Sequence, residues 1–118
     1  MFGGSNQKTG ASFNDLYVLS LPGFVWIQHK DTSQSPRTYH TCAVIGKRHM
    51  LNIGGIDTKS TDPWLQKDPW SRGIGIFDMT SMTWTNVYDS KAAAYDSPQA
   101  VKEWYAKGLV TTYMTYAR

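Results

Sequence analysis

Arg37-Thr38-Tyr39-His40-Thr41-Cys42-Ala43-Val44-Ile45 leads through Gly46-Lys47-Arg48 into Met50-Leu51-Asn52-Ile53-Gly54-Gly55, and further on come Ile76-Phe77-Asp78 and an isolated Trp84. These segments predict four strands of one sheet. The first two are apolar with β-branched residues, and a short polar hairpin turn separates them. The doublet Gly54-Gly55 ends the second strand, where glycine permits close backbone approach and a free choice of φ. The third segment carries an Asp, and the Trp marks the fourth.

The same signs occur upstream in the same order, as Phe2-Gly3-Gly4, then Asp15-Leu16-Tyr17-Val18-Leu19, then Trp26. The doublets lie 51 residues apart and the tryptophans 58 apart, so the extra 7 residues fall between doublet and Trp in the second unit. Residues 57–72 therefore read as an insertion. The pattern resembles the kelch repeat, which has a period of about 50 residues. That resemblance implies an all-β, kelch-type β-propeller whose blades stack around an axis. Residues 1–29 are then a partial blade, residues 37–88 a complete blade, and residues 89–118 a tail with a short helix. Because such rings close with about four to eight blades, two units are expected to be a fragment of a larger propeller.

The resemblance also assigns the repeat positions. Gly3, Gly4, Gly54 and Gly55 are strand-end glycines, Asp15 and Asp78 are turn or strand-cap groups, and Trp26 and Trp84 pack against the adjacent blade. Burying each indole removes about 150–250 Å² from water. Around Asn14-Asp15-Leu16-Tyr17-Val18-Leu19 and Ala92-Ala93-Ala94-Tyr95 the chain is similar to kelch proteins of filamentous fungi. Those proteins often carry a leader before the propeller and a membrane span after it, which implies a membrane-anchored or extracellular full-length protein.

Composition narrows the function classes. Of 118 residues, 41% are apolar and 14% aromatic, which suits a β-rich globular fold. The net charge of +3 is spread along the chain without a basic run, so a nucleic-acid partner is not expected. Cys42 is the only cysteine, which excludes an internal disulfide and a Cys-rich metal cluster. No apolar run approaches the roughly 20 residues that span a bilayer, and no leader opens the chain.

The connecting segments complete the reading. Residues 5–12 are a polar loop, residues 15–20 a strand, Pro22-Gly23 a turn and residues 24–27 an outer strand. Residues 29–36 form the loop between blades and end at Pro36, which keeps the preceding residue extended. Residues 73–79 give the third strand of the second blade, and residues 83–88 its outer strand. Ser97-Pro98 predicts a helix start with Ser97 as cap, and Gly108 its stop. Val101, Trp104 and Tyr105 then share a face, and residues 109–116 are a candidate strand.

Two constellations bear on function. Tyr39, His40 and Cys42 raise the alternative of a propeller enzyme of the galactose oxidase type, because that related family holds copper with tyrosine and histidine and uses a Cys-linked tyrosine. Against it, Cys42 lies in a strand of apolar partners, where cysteine acts as a small hydrophobe. His29, His40 and His49 also sit on separate strands without ligand spacing. Neither doublet is followed by a helix or by Lys-Ser/Thr, so no phosphate cradle is expected. Catalytic residues, metal ligands and cofactors are accordingly not expected. The insertion is different, since it holds Asp62-Pro63-Trp64 and Asp68-Pro69-Trp70, two stiff elbows that each present an indole. Antiparallel pairing brings this loop beside Arg37, with the 46–48 hairpin on the opposite rim. The expected function is non-catalytic binding of a protein surface or extended peptide of acidic character. Its expected contacts are Arg37, Tyr39, Trp64, Trp70 and Arg72.

Overall fold

The computed structural model describes residues 1–31 and 33–108. Strands β1 (Ser5–Asn6) and β2 (Ala11–Ser12) form a small hairpin, and β3 (Leu16–Ser20) and β4 (Val25–His29) form a second antiparallel pair. The main sheet runs β5 (Thr38–Ile45), β6 (His49–Ile56), β7 (Ile74–Asp78) and β8 (Thr83–Thr85), each antiparallel to its neighbour and in sequence order. One helix, α1 (Gln99–Ala106), follows. This is the all-β blade organisation with a short C-terminal helix that the sequence implies. The candidate strand at 109–116 lies outside the described residues.

The first blade is β3–β4 extended by the chain's opening residues. Phe2 bridges Leu16, the Tyr17 N–H donates to the Met1 carbonyl at 2.8 Å, and the Gly3 N–H donates to the Asp15 carbonyl at 3.0 Å. The 5–12 segment, expected as a loop, is instead the β1–β2 hairpin. The Asn6 side chain accepts from the N–H groups of Lys8 and Thr9, and Gly10, at φ +67, returns its N–H to the Asn6 carbonyl.

Alternation along the strands decides what is buried. In register, Phe77 faces both Met50 and Trp84, so these side chains share one face of the main sheet. That face packs on the first blade, and Phe2, Leu16, Trp70 and Phe77 make the buried cluster, with Val18, Met50 and Trp84 against it. Phe77 is 1% exposed and Leu16 2%. Trp84 meets Phe2 edge-on at 4.9 Å, and its repeat counterpart Trp26 is 54% exposed beside Tyr17.

The paired registers correct one sequence alignment. Leu19 opposes Trp26 and Ser20 opposes Val25, just as Phe77 opposes Trp84 and Asp78 opposes Thr83. Ser20, not Asp15, is therefore the counterpart of Asp78. Asp78 turns the chain between β7 and β8 by accepting the N–H groups of Thr80 and Ser81, and it pairs with Arg48 at 2.7 Å. Burial pulls its pKa up, but these N–H groups and Arg48 outweigh that and leave it lowered. The outer strand stops at Thr85 rather than residue 88, because the Thr85 hydroxyl takes the Val87 N–H and bends the chain away.

The helix starts later than Ser97 predicts. Pro98 holds the cap position with an extended ψ of 151°, no side chain caps it, and its carbonyl accepts from Val101 and Lys102. Asp96 pairs with Lys102 across the helix start. At the other end the Tyr105 hydroxyl accepts from the Ser20 hydroxyl at 3.0 Å and the Gly23 N–H at 3.1 Å, pinning α1 to the end of the first blade. Tyr105→Phe removes both bonds and should cost about 1–2 kcal/mol. Limited proteolysis should then cut the tail sooner than in the parent chain, and unchanged cutting would mean that the helix is held by other contacts.

Candidate functional site

The rim predicted to carry binding is built from three segments. They are the β1–β2 hairpin, the 30–37 loop and the 57–73 insertion. Thr58 braces the insertion against the hairpin, its hydroxyl 2.6 Å from both the Ser12 hydroxyl and the Gly10 carbonyl. Sequence reasoning missed the hairpin's part in this rim, although Gly10 and Asn6 were visible turn signals.

Arg37 is the post to which the insertion is tied. Its backbone is clamped first, with its N–H on the Phe13 carbonyl and its carbonyl on the Gly4 N–H. Its guanidinium then makes a two-pronged bond to the Asp68 carboxylate at 2.8 and 2.9 Å, and a third bond to the Gly54 carbonyl at 2.6 Å. The guanidinium carbon also lies 3.7 Å from the Trp70 ring centroid. These Arg37 hydrogen bonds hold the Asp68 carboxyl below the usual range; burial opposes them, and the Trp70 N–H adds to them. Gly55 is required here. At φ +85 a Cβ would come within 2.7 Å of the Thr38 carbonyl and 2.9 Å of the Arg37 side chain.

The two Asp-Pro-Trp triplets have opposite fates. Trp70 turns inward, 7% exposed, with its indole N–H on the Gln34 side chain at 2.6 Å and its ring against Trp84 at 5.5 Å. Gly75 makes the room, since a Cβ there would sit 2.7 Å from the indole. Trp64 turns outward. The Asp62 carbonyl accepts from Leu65 and Gln66, a tight turn that leaves Trp64 75% and Leu65 86% exposed.

Of the five expected contact residues, Tyr39, Trp64 and Arg72 are exposed and Arg37 and Trp70 are buried. The buried pair holds the loop; of the exposed three, Trp64 and Arg72 lie in the insertion and Tyr39 in β5. Between the 30–37 loop and the insertion lies a polar cleft of about 330 Å³, walled by residues 35–37, 55–57, 60, 63 and 66–69. The exposed cations Lys59, Lys67 and Arg72 belong to the same insertion. The 46–48 hairpin is at the far end of the sheet, and there Arg48 is taken up by Asp78.

The residues behind the oxidase alternative are placed differently from expectation. Cys42 is exposed rather than enclosed by apolar partners, because β5 is the edge strand of its sheet. Its thiol donates to the buried Asn52 side chain at 2.8 Å, and partial burial pushes the thiol pKa up. His40 lies edge-on to Phe2, His29 against Phe77, and His49 at 3.9 Å from Asp78. Among the described residues no group of three or more His, Cys, Asp or Glu is placed to hold a metal ion. No helix among them is long and apolar enough to cross a membrane.

Comparison with known proteins supplies a relative. The chain is 30% identical over 111 residues to a kelch repeat-containing protein of Arthroderma benhamiae, an alignment that takes in 87% of this chain. The chain spans 15% of that relative's length. No protein-family model matches the chain, and no solved structure matches it.

Proposed function

Because this chain belongs to the kelch-repeat family, we propose that it is a protein-interaction module, which binds a protein surface or extended peptide, without chemistry, through the rim of the 57–73 insertion. One observation carries the reading. The insertion is anchored from below by Arg37 and Trp70, yet its tip holds Trp64 and Leu65 almost wholly in water. A loop stiffened at its base and apolar at its tip is what rigid binding scaffolds present, and Trp is the residue that most often dominates an interface. Tyr39 and Arg72, both exposed, are the further contacts, and Lys59, Lys67 and Arg72 favour an acidic target. The buried Arg37 and Trp70 act by holding the loop's shape.

Peptides selected from a displayed random library on the immobilised chain provide the test. They should be enriched in Asp and Glu, and Trp64→Ala with Leu65→Ala should weaken their binding at least about tenfold. The melting temperature should stay within about 2 °C, as expected for exposed sites. Lys47→Ala, on the opposite rim, should leave binding intact. Binding lost with Lys47→Ala but kept without Trp64 and Leu65 would overturn the rim, and so would failure to select any peptide.

A further inference from the structure

The polar cleft beside the insertion is bounded by two segments that the fold holds still. One is the turn that opens the insertion, where the Asp57 carbonyl accepts the Ser60 N–H at 3.1 Å and one Asp57 carboxylate oxygen accepts the Lys59 N–H at 3.0 Å. Thr58 fastens that turn to the β1–β2 hairpin. The other is the 66–69 segment, fixed by Asp68 on Arg37. The rest of the lining is residues 35–37, 55–56 and 63, so a single blade with its lead-in loop builds the cleft. The groups that line it are left over from this bracing. Their formal charges cancel, Arg37 and Lys67 against Asp57 and Asp68, and Arg37 with Asp68 is already a closed pair. The side chains of Ser35, Ser60, Gln66 and Lys67 have no hydrogen-bond partner among the described residues, nor does the second oxygen of the Asp57 carboxylate. The Arg37 Nε–H is buried with no acceptor.

Unpaired donors and an unpaired acceptor in a cleft without net charge suit a neutral ligand that offers both kinds of group side by side. An anion would meet Lys67 but also the open oxygen of Asp57, and a cation would meet the reverse. The peptide unit has the required form. We infer that the cleft binds the main chain of the partner peptide, with an N–H donated to Asp57 and a carbonyl accepting from Lys67. At about 330 Å³ the cleft is at the small end of ligand pockets, about 300–1,000 Å³, so it takes a short extended stretch and not a folded surface. This rests on the reading of the rim as a peptide-binding surface, and it divides the work there. Trp64 and Leu65, exposed between the lining residues Pro63 and Gln66, select side chains, while the cleft holds the main chain whatever its sequence.

Amide-to-ester scanning of a peptide selected on the immobilised chain is the test. Each ester replaces one N–H by oxygen and weakens the carbonyl before it, and every side chain stays in place. At one or two adjacent positions an ester should weaken binding about three- to tenfold, the worth of a hydrogen bond, and elsewhere esters should be tolerated. In at least one of the variants Asp57→Asn and Lys67→Ala the same esters should cost under about twofold, because the bond they remove is already lost. Asp57→Asn keeps an acceptor for the Lys59 N–H and Lys67 is exposed, so both variants should fold, which circular dichroism checks. Trp64→Ala should weaken the parent peptide and its esters by the same factor. A peptide that binds but tolerates every ester would overturn the main-chain inference and leave the rim standing. Ester losses unchanged in both variants would place the main chain outside the cleft and overturn it too. Failure to select any peptide would overturn the reading of the rim, and this inference with it.

Discussion

Arg37→Ala is expected to cost about 3 kcal/mol of folding stability, at the lower end of what breaking a buried ion pair costs. The guanidinium is 3% exposed but its partner Asp68 is 27% exposed, so the abandoned carboxylate can regain some water. Against that, the Gly54 carbonyl loses its bond and Trp70 loses the cation over its ring. Urea unfolding of Arg37→Ala, Asp68→Asn and the double variant should show a coupling of at least about 1 kcal/mol, since the two groups act as one unit. Additive losses would mean that the pair does not tie down the insertion. Acid provides a second readout. The folded-state pKa of Asp68 is depressed, so its contribution is present above the unfolded value of about 3.9 and is lost as pH falls through the folded value. Arg37→Ala removes the main cause of the depression. It should therefore lose less stability than the parent chain between neutral pH and about pH 3.

What the sequence made legible was local. Alternation in residues 40–45 and 49–55, the glycine doublets and the spacing of the tryptophans are properties of single strands and turns, and the strands formed there. The fate of the two Asp-Pro-Trp triplets was not local. As sequence they are identical, and only contact with Arg37 and the space above Gly75 make one an anchor and the other a tip. Gly75 was the available sign, since a glycine inside a strand marks a place where something approaches closely. Spacing also held the correction to the Asp alignment. Ser20 precedes Trp26 by 6 residues, as Asp78 precedes Trp84, whereas Asp15 precedes Trp26 by 11. The exposure of Cys42 could not be read from its apolar neighbours, because an edge strand and a central one have the same alternation.

Trp84→Ala and Trp26→Ala are expected to differ severalfold in cost although both residues hold the same repeat position. Trp84 meets Phe2 at 4.9 Å, Phe77 at 5.1 Å and Trp70 at 5.5 Å, so its removal empties the contact between the blades. Emptying a site of that kind costs about 3–5 kcal/mol. Trp26 has only the Tyr17 ring edge-on, with centroids 6.5 Å apart, and is 54% exposed, so its truncation should cost under about 1 kcal/mol. The difference follows from what lies against each face rather than from the residue, since Phe2 of the first blade packs on Trp84 whereas Trp26 stays half exposed beside Tyr17 of its own sheet. Thermal or urea unfolding of the two variants at low protein concentration measures it. Equal losses would show that the tryptophans act within their own sheets, and that the blades owe little to each other.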